Sequence, residues 1–329
     1  MFNLAGPDGM SKRTTHVVPL VCLFAVILLL SSVTLVIKFV FQHSSVQAIE
    51  LACSRVMIGF LVLFTITLLW DRRGLLSLTI GDLLRLGLLG ILGVCSYAIA
   101  AFGLMHSSVI HYALIYGLLP SCTATLSVLF GKDQMSVSKC AGALFSLIGC
   151  VLAISQVAPY EEAAFQFGDL FVLLFTVMMS AHIVFTSGIV KRFGVMVSNT
   201  VMFGSSSVLL LLGSLEWSEP LHGEVSPLIT ALVLYVACAT AAVFLLRYRS
   251  LQSLSPATVG TYHNLIPVCT VLLAYMCLDE PVGAKTIIGG IMVVAGAEVV
   301  RRAPFLSFSS LRYWVKPALP KVEHTTPIH

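Results

Sequence analysis

The sequence predicts an all-α integral membrane protein with ten transmembrane helices, arranged as two inverted five-helix repeats. Three observations carry that expectation. The chain is 58% hydrophobic and only 10% charged, with mean hydropathy +0.98, where a soluble domain averages about 25% charged residues. Apolar runs of about 20 residues recur along its length, enough to cross roughly 30 Å of hydrocarbon as helices. The alternation of a barrel strand is absent, so a helical bundle is the class that satisfies every backbone group in lipid. The chain also matches itself. At an offset of 147 residues, Ile110–Cys150 falls on Ala257–Ala297 without a gap, setting Pro120 on Pro267, Cys122 on Cys269, Thr123 on Thr270, Asp133 on Glu280, Gly142 on Gly289 and Gly149 on Gly296. Two copies of one membrane unit are typical of transporters, whose similar halves rock around a central site.

The expected spans are 17–39, 46–70, 82–102, 109–130, 138–156, 168–190, 196–215, 226–248, 256–278 and 284–302. The first is too long for a signal peptide and lacks a small-residue cleavage site after it. Lys38 at its outer end reads as an interfacial anchor. The second carries Arg55, and the third the spaced Gly87, Gly90 and Gly93, which thin it for close packing. The fourth opens with His111 and Tyr112 near the interface and bends at Pro120. The fifth repeats the glycine spacing with Gly142 and Gly149. The sixth opens with Gly168–Asp169 and carries His182, and the seventh carries the small residues Ser205, Ser206 and Ser207. The eighth ends beside Arg247 and Arg249. The ninth bends at Pro267, and the tenth closes the repeat with Gly289 and Gly296. All nine cysteines sit inside spans without ligand spacing and read as small apolar residues.

Charge placement tests the count. With the N-terminus in the cytoplasm, sixteen of the 19 Lys and Arg residues fall inside, Lys38 and Lys285 at outer ends and Arg55 within a span. That split follows the positive-inside rule. The expected location is therefore the cell (inner) membrane, multi-pass, with both termini cytoplasmic. The basic net charge reports orientation and gives no reason to expect nucleic acid. Five spans precede the second unit, so the halves insert with opposite orientations. The expected organisation is a cytoplasmic segment 1–16, a first repeat 17–156, a second repeat 168–302 and a cytoplasmic tail 303–329 with four prolines, expected to be partly disordered.

Leu119–Pro120, the apolar run into Gly131–Lys132–Asp133, then Gly142 and Gly149 resemble one EamA repeat of the drug/metabolite transporter superfamily. Ile266–Pro267, Leu278–Asp279–Glu280–Pro281, then Gly289 and Gly296 resemble the second and are the closer match. Lys38, Arg55 and Gly168–Asp169 also sit where such proteins carry them. Leu30–Ser31–Ser32 and Lys132–Asp133 depart from the family pattern, which leaves the substrate open. The resemblance implies a ten-helix carrier that moves a metabolite by alternating access. Substrates in the superfamily include amino acids, purines, nucleotide sugars, triose phosphates and S-adenosylmethionine.

Arg55 lies about 13–14 Å from the outer end of its helix at 1.5 Å per residue. Burial there costs about 2.5–3.5 kcal/mol on insertion scales, so it faces a partner or water. It reads either as an anchor for a substrate carboxylate or phosphate, or as half of a structural pair. Tyr262, His263 and Asn264 precede Pro267, and Tyr116 is the repeat counterpart of His263. Side chains beside a proline bend line a cavity or tie helices together. These five residues form the expected substrate site. His182 and Glu298 are the candidates for proton coupling. Against that stand a packing role for His182 and, for Glu298, a helical ion pair with Arg301 and Arg302.

An intramembrane enzyme needs a nucleophile with its base, paired carboxylates or a metal cluster. The chain has no HExxH, no GxSxG and no acid pair within its spans, so it is expected not to be an enzyme. No cofactor and no metal are expected, and no Walker motif is present. A channel needs a ring or ladder of charge, and Arg55 alone lies near mid-membrane; a channel or structural membrane protein is the reading of another class. The expected function is a secondary carrier of a small organic metabolite, alternatively an exchanger of a nucleoside-like metabolite such as S-adenosylmethionine. Tyr97, Tyr116, Tyr235, Tyr262 and His263 are the stacking candidates for the latter. The expected partners are a small-molecule substrate and the lipid bilayer, with a homodimer left open.

Overall fold

A computed structural model describes residues 14–131, 136–155, 165–217, 226–251 and 264–302. Every regular element among the described residues is a helix. In chain order these are α1 Thr14–His43, α2 Ala48–Trp70, α3 Arg72–Leu76, α4 Ile80–Gly93, α5 Ser96–Met105, α6 Val109–Tyr116, α7 Leu119–Leu129, α8 Val137–Ile154, α9 Phe167–Phe193, α10 Val195–Trp217, α11 Pro227–Leu251, α12 Leu265–Leu278 and α13 Ala284–Arg302. Local chemistry sets the starts and stops. Glu50 accepts from the Gln47 N–H at 2.9 Å before α2, and Ser108 and Ser136 accept the third N–H of α6 and α8 at 3.0 and 3.2 Å. Each satisfies an amide that a helix leaves unpaired. Gly194 alone separates α9 from α10, at φ +79°, which only glycine adopts without cost.

Among the described residues, eight spans are long and apolar enough to cross a membrane. Their outer surfaces are apolar as well: Leu69, Trp70 and Ile80 are 76%, 74% and 78% exposed. A water-soluble bundle does not present such residues around its whole girth. The eight spans correspond to the first eight of the ten expected. The third and fourth expected spans are each two helices, broken at Val94–Cys95 and at Gly117–Leu118. Pro120 has no N–H to give the Tyr116 carbonyl, which accounts for the second break. α12 has only 14 described residues, because 256–263 of the ninth expected span lie outside the described residues. α13 is 19 residues long but carries Lys285, Glu298, Arg301 and Arg302.

The helices pack closely where glycine allows it. α8 crosses α13 antiparallel. A Cβ built on Gly142 would lie 2.8 Å from the Gly296 carbonyl oxygen, and one on Gly149 would lie 2.7 Å from that of Gly289. Between these pairs Ser146 Oγ donates to Val293 O at 3.1 Å. Gly90 on α4 meets Ser205 of α10 in the same way, at 2.6 Å, so its thinning role holds, whereas Gly87 has ordinary contact distance to spare at 3.6 Å. α1 lies against α11 and α12, α2 against α5, α10 and α11, and α9 against α4, α5, α6 and α7. α2, α5, α6, α9 and α12 converge with α1 on the middle of the bundle.

Candidate functional site

At that convergence is a chamber of about 40 Å³, lined by Arg55 from α2, Tyr97 from α5, Tyr112 and Tyr116 from α6, Phe175 from α9, and Thr270 from α12. Its remaining wall is mostly aliphatic. Arg55 is buried, at 8% exposure. Its Nε donates to Thr240 Oγ1 of α11 at 2.7 Å, and the Thr240 hydroxyl donates in turn to Val236 O at 2.7 Å. The guanidinium carbon sits 4.3 Å over the Tyr97 ring, an attraction that strengthens where water is excluded. Glu50, the suggested structural partner, is occupied at the α2 N-terminus instead. No carboxylate pairs with Arg55 among the described residues, and its two terminal nitrogens have no hydrogen-bond partner there.

Three rings stack beside it. Tyr116 and Phe175 lie 5.7 Å apart at 10°, Tyr112 and Tyr116 6.2 Å apart at 16°, and Tyr112 and Phe175 6.2 Å apart at 19°. Tyr97 adds an oblique contact to Phe175 at 5.9 Å. Near-parallel rings at these separations are offset stacks. Tyr112 and Tyr116 share a face because they are four residues apart on one helix.

A second cavity, about 30 Å³, adjoins the first. Pro120 and Pro267, the matched prolines of the two repeat units, both line it, together with Tyr116, Gly117 and Asn264. Tyr116 faces both cavities and forms the wall between them. Asn264 is buried, and its Nδ2 donates to Glu298 Oε2 at 3.3 Å. Glu298 in turn accepts from Arg301 Nε at 2.8 Å and from Arg302, so it sits in the i, i+3 and i, i+4 ion pairs that its spacing allows.

The expected site residues therefore separate. Tyr116 and Arg55 meet at the chamber. Asn264 lies in the adjoining cavity and reaches Tyr116 only through it. Tyr262 and His263 lie outside the described residues. His182 sits away from the chamber between α4 and α9, its Nδ1 2.9 Å from Leu89 O and its ring against Gly93. Tyr235 bonds Ser32 at 2.6 Å and is absent from the chamber lining. Tyr112 and Phe175 were not expected there: Tyr112 looked interfacial because it is near a helix start, and Phe175 is one phenylalanine among 19. The four-residue spacing of Tyr112 and Tyr116 was the signal that was available.

Just beyond the chamber along α1 and α5, polar groups fasten the His106–Ser108 turn. Lys38 Nζ donates to Leu104 O at 3.2 Å and Ser107 O at 2.5 Å, and so acts as a cap on α5 rather than as the interfacial anchor expected. Glu280 accepts from Val109 and Ile110 N–H at 2.8 and 2.9 Å, neutralising the positive end of α6. Buried Asp169 accepts from Ser107 Oγ, from His111 Nδ1 at 3.0 Å and from Gln166 N–H at 3.0 Å. The turn is thus tied to α1, to the start of α9 and to the α12–α13 connection.

Broken apolar helices around a small chamber with one buried arginine fit a multi-pass membrane protein of the transporter class. Comparison makes this specific: the sequence pattern of the EamA-like transporter family matches residues 18–155 and again 166–302, and the chain belongs to that family. It is 26% identical over 213 residues to the uncharacterized transporter YyaM of Bacillus subtilis (strain 168), covering 63% of this chain and 70% of the relative. It is 26% identical over 251 residues to the uncharacterized transporter YdfC of the same organism, covering 75% and 79%. An uncharacterized transporter of Archaeoglobus fulgidus is 23% identical over 231 residues, covering 68% and 78%. A solved crystal structure matches 93% of this chain and 100% of its own, with TM-score 0.61 at 18% identity, which is a likeness of fold.

Proposed function

We propose that this protein is a secondary carrier that moves a small organic metabolite across the cell membrane by alternating access. In this reading ten spans form two inverted five-helix repeats, 17–156 and 168–302, with 1–16 and 303–329 in the cytoplasm. Substrate occupies the Arg55–Tyr116 chamber, and the Asn264 cavity forms part of its path. The end fastened by Lys38, Asp169 and Glu280 is the external one.

The observation that carries the reading is the crossing of α8 and α13. Under the 147-residue shift, Gly142 corresponds to Gly289 and Gly149 to Gly296. The contacts are swapped, Gly142 on Gly296 and Gly149 on Gly289, and Ser146 meets its own counterpart Val293. Self-complementary contact of this kind is what a two-fold axis generates. An axis in the membrane plane relates two halves that can exchange conformations, which is the basis of alternating access. The pair of matched prolines in one cavity obeys the same symmetry.

Purified protein in liposomes preloaded with a metabolite mixture tests the reading. Saturable uptake that is accelerated by preloaded substrate is the expected result. Flux that stays linear with concentration and indifferent to the far side favours a channel and refutes a carrier.

A further inference from the structure

We infer that the chamber selects a flat organic molecule bearing a single carboxylate, held by that carboxylate on the terminal nitrogens of Arg55 with its flat body against Tyr112, Tyr116 and Phe175. This rests on the chamber being the substrate site proposed above and names the class of compound it takes. Arg55 has its Nε committed to Thr240 and its plane fixed over Tyr97. What it presents to the chamber is the end of the fork, two N–H groups side by side. That edge matches the two oxygens of a carboxylate. A guanidinium buried at this depth calls for a counter-charge, and no side chain among the described residues supplies one.

The charge count narrows the class. Arg55 is the one charged residue in the lining among the described residues, so a monoanion neutralises the chamber. A phosphate monoester brings about 1.5–2 negative charges near neutral pH and leaves an excess. An amine adds a second positive charge. The two threonine hydroxyls in the lining add no charge and are already committed, because Thr34 and Thr270 donate to their own helices, to Leu30 O at 3.0 Å and Ile266 O at 2.9 Å. Shape narrows it further. Three nearly parallel rings offer faces to a planar body, and a chamber of about 40 Å³ admits one only when those rings part. An inserted flat molecule recovers the stacking that the parted rings give up.

The test is equilibrium binding to the purified full-length protein in detergent, using 2-naphthoate, naphthalene-2,6-dicarboxylate, 2-naphthylmethylamine, phenylalanine and hexanoate as probes. The expected order places 2-naphthoate first, at least about tenfold tighter than the dianion, the amine or the zwitterion. Arg55→Lys keeps the charge and removes the fork, and is expected to weaken 2-naphthoate by about tenfold or more in protein that still inserts and unfolds cooperatively. Arg55→Gln is expected to erase the preference for the carboxylate over 2-naphthylmethylamine. Tyr116→Leu is expected to weaken 2-naphthoate and leave hexanoate as it was. Tightest binding of phenylalanine or of the dianion overturns the charge count, and an unchanged 2-naphthoate affinity in Arg55→Lys overturns the anchor. Binding of 2-naphthoate by a protein that shows no saturable, preload-dependent flux of any compound supports this inference and refutes the carrier. Saturable exchange of another compound, indifferent to Arg55→Lys, overturns this inference and leaves the carrier intact.

Discussion

Arg55 illustrates how one residue is placed for chemistry by neighbours that the sequence does not make adjacent. Its neighbours Thr240 and Tyr97 come from other helices, and only the demand that a buried guanidinium be satisfied was legible in advance. The same holds at the fastened end. Asp169 was visible only as part of the Gly168–Asp169 start of a span, whereas its three donors come from the α5–α6 region and the residue before α9. Asp169→Asn turns an acceptor of charge-assisted bonds into an amide facing donors. We expect it to lower stability by about 1–3 kcal/mol and to raise the reactivity of a cysteine introduced at His106. Unchanged unfolding and unchanged labelling contradict the role assigned to this carboxylate.

At the scale of the helix, close approach and helix breaks decide what each element does. A Cβ at Gly149 would lie 2.7 Å from the Gly289 carbonyl oxygen, while at Gly87 the nearest atom is 3.6 Å away. Gly149→Ala is therefore expected to lower the unfolding temperature, with an overpacking cost of about 1–3 kcal/mol. Gly87→Ala is expected to be neutral or slightly stabilising; thermal unfolding in detergent separates the two. Pro120→Ala restores an N–H for the Tyr116 carbonyl and joins α6 to α7. It is expected to slow flux while leaving the protein folded, and wild-type flux would deny the break a function. The spans were readable because an uncharged apolar run of about 20 residues matches the thickness of a bilayer and exceeds what a soluble core buries in one helix. The break at Pro120 was readable from its chemistry. The break at Val94–Cys95 was not, because no proline marks it and the His182 ring that packs there comes from α9.

For the whole molecule, the repeat in the sequence carried the architecture further than any residue carried the site. An offset of 147 residues matched the glycines of α8 and α13 before any contact was known. It also led to the expectation that Asn264 and Tyr116 share one chamber. Both line the cavity that holds Pro120 and Pro267, and Tyr116 lines the Arg55 chamber as well, a second contact that depends on packing an alignment does not contain. The proposed orientation rests on the sixteen basic residues that fall on one side in that topology. In a cysteine-free background, single cysteines at Ser11 and Thr325 are expected to resist a membrane-impermeant maleimide in intact cells, and one at Glu161 to react. The reverse pattern removes the inverted repeat.

The central claim is that one chamber is reached from each side in turn. Its most direct test places a single cysteine at Ala113, a buried residue of the chamber lining, in the cysteine-free protein. A second pair replaces His106 and Phe167, whose rings lie 6.4 Å apart at the fastened end, so that a short bis-methanethiosulfonate reagent links them before an impermeant thiol probe is added. Without the link, the cysteine at Ala113 is expected to react in right-side-out and in inside-out vesicles. With it, reaction is expected from the cytoplasmic face alone. Reaction from both faces after linking would mean that the chamber does not alternate, and the account would fail.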